Sequence, residues 1–535
     1  MHRALLIDDI LHIILHNVKS STVDLRNLAL TCTALSAPAL NMLWCLPQDT
    51  WEVGEHNVIK MLREPQLAEW ERVRMNASRT RRIVRNRSHT FFRFPRLRGP
   101  GLQRLFRLMP PALLFPNLRA LNFDALPEVG SNFVLLRQFF SPRLEELSFN
   151  VPPDVTMHEV EQLFDALRAE AAGLRQLSIK ANHGTSALHC TLPQSVGKLP
   201  KLNRLVIDRI DTRSIVQNIT NIQHTRCLQT LTLTLCKTSR DVEGQPSGNT
   251  PLELRTLKHL FLVGTNLRQC VFLLFQVTTP YLSTIDISYH IPATPMEITA
   301  FITCLSMSCQ TFAFLENISV VDDSLYRTWQ HPDSYGPLPS YIFRPLLEFR
   351  RLSTVNFVAV GNNCLDDGFI EDAGVAWPDI LELRFISAKP VPSEVTFTAM
   401  LSLASRCRSL HSLHLAFDAT HLPTLPHAPD GNREVWRAQT ALRELHVGHS
   451  KVSEAAHVHF FLAMVFPNLA DFAWYDSLNP SDITVWQEIV RLWKQEVNLR
   501  ATAPNRAVSL PDFLLESLSE AEDGVGEHGN LLQGL

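Results

Sequence analysis

No apolar stretch in the 535 residues reaches the ~18 that a membrane-spanning helix requires. The N-terminus offers no secretory signal either, because Asp8 and Asp9 interrupt its apolar run. Charge is scarce. Charged residues are 19% of the chain and the net charge is −3, which argues against a general nucleic-acid binder. With hydrophobics at 45%, the composition also excludes a disordered chain. There are 10 cysteines, but no Cys-x-x-Cys and no Cys/His set at zinc spacing, so no metal site is expected. Without a signal, the sequons at Asn76, Asn86, Asn218 and Asn317 carry no meaning. The even cysteine count then reads as reduced thiols of a cytoplasmic or nuclear protein, not as disulfides. Gly-x-Ser-x-Gly, P-loop and His-Glu-x-x-His motifs are missing, so neither an enzyme nor a cofactor is expected. One Gly-x-Gly-x-x-Gly, at Gly524, Gly526 and Gly529, has no strand before it and reads as coincidence.

What is present is one short pattern, Leu-x-x-Leu-x-apolar, repeated about thirteen times. Its units open at Leu118, Leu144, Leu174, Leu202, Leu228, Leu257, Leu282, Leu315, Leu352, Ile380, Leu410, Leu442 and Leu469. The spacing is mostly 25 to 32 residues, with two longer steps between 282 and 352. Several units share a Pro lead-in, as in Phe115-Pro116-Asn117-Leu118 and Phe466-Pro467-Asn468-Leu469. Proline there stops a preceding helix. The motif alternates as a strand does: Leu147 and Phe149 oppose Glu146, Ser148 and Asn150. The segments between motifs carry helical periodicity, predicting helices over Glu159–Ala171, Leu267–Val277, Glu297–Ser306, Glu394–Ser405, Ser453–Val465 and Val485–Leu492. Strand plus helix at this period predicts an α/β solenoid of leucine-rich-repeat type, with a curved parallel sheet inside and helices outside. Solenoids are binding surfaces far more often than enzymes.

The residue between the second and third motif positions should line the concave face. That row runs Asn122, Ser148, Ser178, Val206, Thr232, Phe261, Asp286, Ser319, Asn356, Arg384, His414, His446 and Ala473. It becomes larger and ionisable toward the C-terminus. Glu382, Arg384, His414, Glu444, His446 and Tyr475 are therefore the candidate target-binding residues, since Arg and aromatic side chains concentrate binding energy. The alternative is an ordinary solvated strand face.

Residues 4 to 45 do not fit the repeat. Leu5, Leu6, Ile7, Ile10, Leu11, Ile13, Ile14, Leu15 and Val18 predict a helix that is apolar over most of its surface. Asp24 reads as the N-cap of a second helix carrying Leu25, Leu28 and Leu30. Cys32, Leu35 and Leu43-Trp44 follow. This run, Leu6-Ile7-Asp8-Asp9-Ile10-Leu11 through Asp24-Leu25 to Leu43-Trp44, resembles an F-box, as found in the F-box proteins of mushroom-forming basidiomycete fungi with degenerate leucine-rich repeats. The resemblance implies the substrate-receptor subunit of an SCF-type cullin–RING ubiquitin ligase. In it the F-box binds a Skp-type adaptor, through which a cullin is reached, and the repeats capture a target protein. By position it assigns adaptor contact to Leu6, Ile7, Ile10, Leu11, Ile14, Leu25 and Leu28. The alternative is a leucine-rich-repeat scaffold or inhibitor whose N-terminal helices only cap the solenoid.

From Arg72 to Arg98 there are ten Arg and no acid. Arg79, Arg81, Arg82 and Arg85 form a candidate anion patch, since Arg forks bind phosphate bidentately. The alternative is a solvated helix face packed on the acidic remainder. The expected organisation is an F-box-like helical domain over 1–46, a helical Arg-rich linker or first cap over 47–115, the solenoid over 116–500, and a disordered acidic tail over 501–535. No nucleic-acid or membrane partner is expected.

Overall fold

The structure is a computed structural model. It describes residues 13, 15, 17–18, 22–31, 35–40, 71, 74–75, 77–83, 106, 109–123, 133–151, 155–181, 192–211, 215–236, 252–307, 313–323, 336–387, 389, 391, 393–421, 438–475 and 480–502. The expected tail over 501–535 lies outside them, save the end of the last helix.

The repeated motif forms a strand wherever it occurs. The strands are β1 (Arg82–Ile83), β2 (Ala120–Asn122), β3 (Glu146–Val151), β4 (Gln176–Ala181), β5 (Arg204–Asp211), β6 (Thr230–Cys236) and β7 (His259–Gly264). They continue as β8 (Thr284–Tyr289), β9 (Asn317–Asp322), β10 (Thr354–Val358), β11 (Glu382–Ile386), β12 (Ser412–Leu415), β13 (Glu444–His446) and β14 (Asp471–Ala473). All fourteen belong to one sheet, in chain order, and every pairing is parallel. Parallel neighbours need a crossover of a dozen or more residues, which the repeat length supplies.

Register follows the motif. The second motif positions sit side by side from Leu121 and Leu147 through Ile285 and Ile318 to Leu445 and Phe472. All of this row except Phe472 is at most 2% exposed. It merges with the buried faces of the helices into one continuous core. Fully burying one such side chain contributes roughly 1.5–3 kcal/mol, but only a neighbouring unit completes the burial, so stability is shared along the array.

The turn entering most of the strands is also repeated. The first-position amide bonds the backbone carbonyl three residues back, as in Leu118 to Phe115, Leu174 to Ala171, Ile380 to Trp377 and Leu469 to Phe466. In one unit a side chain takes the carbonyl's place: the Leu442 amide donates to the side-chain Oε1 of Gln439, at 2.7 Å. Gln439 is fully buried, and its Nε2 donates back to the carbonyls of Cys407 (3.1 Å) and Leu410 (2.9 Å).

Between strands lie helices with their own start signals. Thr156 and Glu159 form a capping box at Met157–Glu170, and Thr294 and Glu297 repeat it at Pro295–Met307. Asn266, Asp366 and Thr396 cap Leu267–Gln276, Asp367–Ala376 and Phe397–Arg406. Each cap is worth about 1 kcal/mol. The last helix, Pro480–Thr502, is longer than the periodicity over Val485–Leu492 suggests. Trp486, Ile489 and Trp493 are buried, and the two indoles donate to the Ser450 and Leu469 carbonyls. It closes the C-terminal end of the core.

At the other end the sheet begins earlier than the motif indicates. β1 lies inside the segment expected to be a helical linker. Ile83, 1% exposed, pairs with Leu121, and Thr80 stands where the other units carry their first Leu, 6% exposed. Ala77, Phe106 and Leu114 join the same core. The first repeat is thus covered by Ala77, the strand Arg82–Ile83, Phe106 and Leu114.

Among the described residues, none from the N-terminal helices belongs to that core. Leu15, Leu25 and Ala39 form a buried cluster of their own, with Val18, Leu28, Ala29, Leu35 and Leu40 against it. Asp24 sits in the first turn of the helix Thr22–Thr31, two residues inside its expected N-cap position.

Candidate functional site on the open face of the sheet

The side chains alternating with the buried row face away from the helices and are mostly half-buried. The row expected from the sequence is one row in the structure. Asn122, Ser148, Ser178, Val206, Thr232, Phe261, Asp286, Ser319, Asn356, Arg384, His414, His446 and Ala473 are successive lateral neighbours.

On this row the strand β12 stands apart, because even its open-face residues Ser412 and His414 are buried, at 7% and 8% exposure. Their cover is the candidate set itself. The His414 and His446 rings stack at 3.7 Å between centroids, tilted by 21°. Tyr475 lies 4.6 Å from His446 and 5.6 Å from His414. Beside the stack, Arg384 Nη2 donates to Ser412 Oγ at 3.1 Å. It stands 3.5 Å from Glu382 and 3.6 Å from Glu444. All six expected residues therefore come together.

Two further members were not legible in the motif. Ser412 occupies a position that is partly exposed in most other strands. His449 follows β13, its ring 4.8 Å from Tyr475. It is brought there by a turn at Gly448, whose φ of 59° is the left-handed region that glycine enters without strain. The Gly448 amide donates to His446 Nδ1 at 3.0 Å.

The histidines are kept uncharged. Burial, then the neighbouring His446, Arg384 and His449 charges, pushes His414 down to about 2. Burial, then His449 and Arg384, lowers His446 to about 4, and burial lowers His449. At neutral pH the three rings therefore present uncharged aromatic faces and ring nitrogens beside Arg384. Among the described residues no group of three or more His, Cys, Asp or Glu could hold a metal ion.

Of the candidate anion patch, Arg79, Arg81 and Arg82 are described. Arg82 lies on a strand, where a solvated helix face was the alternative expected, and pairs bidentately with Glu146 at 2.8 and 3.3 Å. Arg81 is exposed, Arg79 is half-buried, and Arg85 lies outside the described residues. Of the expected adaptor contacts, Leu6, Ile7, Ile10, Leu11 and Ile14 also lie outside them. Leu25 is fully buried in the small N-terminal cluster and Leu28 packs against it, so Leu25 serves that core and offers no surface in this conformation. Ile13 and Leu30 are exposed, at 61% and 76%. Cys270, Cys304 and Cys407 are buried free thiols that burial pushes up to about 12, 12 and 11. Among the described residues no helix is long and apolar enough to cross a membrane.

Fourteen parallel strands in chain order, joined by helices and 3-10 turns, define a leucine-rich-repeat-like α/β solenoid. No protein-family model matches the sequence, and no curated protein matches it significantly. Among solved structures the chain is similar to one from the Rad7 and Elc1 complex in yeast, at 13% identity and a TM-score of 0.32, covering 70% of this chain and 89% of that one. It is also similar to one from the TLR13–ssRNA13 complex, at 15% identity and a TM-score of 0.32, covering 71% and 54%. Likeness at this level carries no argument, and the class rests on the sheet itself.

Proposed function

We propose that the chain is a non-catalytic substrate receptor of an SCF-type cullin–RING ubiquitin ligase. Its N-terminal helices bind a Skp-type adaptor, and the C-terminal strands of the open face bind a target protein. The observation that supports an adaptor-binding head over a simple cap is the separate N-terminal cluster. Leu15, Leu25 and Ala39 pack on one another, while Ala77, Ile83, Phe106 and Leu114 cover the first repeat. A head that does not serve the solenoid, and that exposes Ile13 and Leu30, is suited to a partner. The F-box resemblance of Leu6 through Trp44 names which partner.

The test is co-purification of recombinant Skp-type adaptor with the full chain, with Ile10→Asp/Ile14→Asp and with Leu30→Asp. The full chain is expected to retain the adaptor and the double variant to lose it, with the thermal midpoint of the solenoid unchanged. Leu30→Asp alters an exposed side chain, so weakened recovery there reports on contact and not on folding. No recovery with the full chain would contradict the ligase reading and leave a leucine-rich-repeat scaffold.

A further inference from the structure

We infer that the open face at β11–β14 takes a basic segment of its protein partner, one bearing Arg or Lys. The inference rests on the reading of this face as the target site and names the chemistry of the target. Glu382, Ser412, Glu444 and Asp471 are lateral neighbours in one row. Among the described residues the cation paired with this row is Arg384, which stands 3.5 Å from Glu382 and 3.6 Å from Glu444, distances that leave both glutamates able to accept further hydrogen bonds. Both glutamates are substantially exposed, at 43% and 55% of their side chains, and Asp471 is exposed. With the imidazoles uncharged, three negative charges against one positive leave the patch at −2. An acidic or phosphorylated segment would meet repulsion there, and Arg384 is already engaged by Ser412 and flanked by carboxylates.

A second, independent feature points the same way. The His414, His446, Tyr475 and His449 rings form a continuous aromatic surface beside the carboxylates. Aromatic faces attract guanidinium and ammonium groups, most strongly where water is displaced. Within the stack, His414 is 92% buried, from its 8% exposure, and its Nε2 has no hydrogen-bond partner. In the neutral ring that nitrogen can stand as the acceptor that an incoming N–H donor requires. Buried polar atoms left unmet cost stability, so a cationic ligand that reaches it removes a cost as well as adding a contact. Elsewhere on the face Glu146 is engaged by Arg82 and Asp286 by the Ser319 hydroxyl.

The test is selection of random-peptide phage against the full chain, followed by binding of the enriched peptides to two variants. Glu382→Gln/Glu444→Gln/Asp471→Asn removes the charges at nearly constant volume. Glu161→Gln/Asp165→Asn/Asp379→Asn removes as many exposed acids away from the sheet and controls for non-specific attraction. Enriched peptides are expected to be rich in Arg or Lys, to bind about tenfold more weakly to the first variant, to bind the control nearly unchanged, and to weaken as salt rises. Acidic or uncharged peptides that still need Tyr475, tested by Tyr475→Ala, would overturn the ligand class while keeping the face as the target site. Peptides indifferent to all these substitutions, or no enrichment, would overturn the face itself. Adaptor recovery, measured separately, bears on the head alone.

Discussion

Gln439→Leu is expected to destabilise the C-terminal repeats by about 4 kcal/mol, although the two side chains are similar in size. In most other units a backbone carbonyl receives the first-position amide; here the side chain of Gln439 does so for Leu442. Its Nε2 also serves the carbonyls of Cys407 and Leu410. The Cys407 carbonyl keeps a second donor, the Leu410 amide. Leucine therefore strands chiefly the Leu442 amide and the Leu410 carbonyl, each at roughly 1–3 kcal/mol when buried without a partner. Solenoids unfold unit by unit, so the loss is local. Hydrogen exchange at the Leu442 to Leu445 amides should accelerate while strands β3 to β6 keep their protection. Unchanged exchange there would mean that the Gln439 bonds contribute nothing net.

Acidification to pH 5 is expected to cost a similar amount through His414 and His446. The sign follows from their lowered values. An unfolded histidine titrates near 6.5, while in the folded chain His414 is held at about 2 and His446 at about 4. Between 6.5 and those values the unfolded state binds protons that the folded state refuses, so stability falls as pH falls and is flat above about 7. At pH 5 each ring contributes a loss of about 2 kcal/mol, about 4 kcal/mol together. Urea unfolding followed by tryptophan fluorescence should show the transition moving down from pH 7 to pH 5, and His414→Gln/His446→Gln should remove most of that movement. An equal pH response in the variant would show that the two rings are not held neutral by the fold. Arg384, Glu382, Glu444, Tyr475 and His449 stand beside the pair and stay in both proteins, so the difference between the two curves reports the two rings.

The open-face row was legible because two periodicities fix it. Alternation along a strand decides which side chains face the helices, and parallel in-register pairing makes equal motif positions neighbours. Asn122 through Ala473 follow from these alone, as does the gathering of Arg384, His414, His446 and Tyr475. Strand β1 was not legible, because Thr80 replaces the first leucine and the Arg residues around Ile83 mask a two-residue strand. Gln439 escaped for a different reason: its role depends on three backbone groups from two units, and no local pattern announces that. His449 lies beyond the strand and reaches Tyr475 only through the turn at Gly448. Leu25 shows the limit of motif position as a guide to exposure, since the same helical spacing that places it beside Leu28 turns it toward Leu15 and Ala39.

The account's central claim is a division of labour between a separate N-terminal head and the C-terminal open face. Hydrogen exchange of the full chain with and without recombinant Skp-type adaptor tests it most directly. New protection is expected within the helical segments of residues 13–40, with exchange at β11 to β14 unchanged. Protection at β11 to β14, or none anywhere at saturating adaptor, would contradict it.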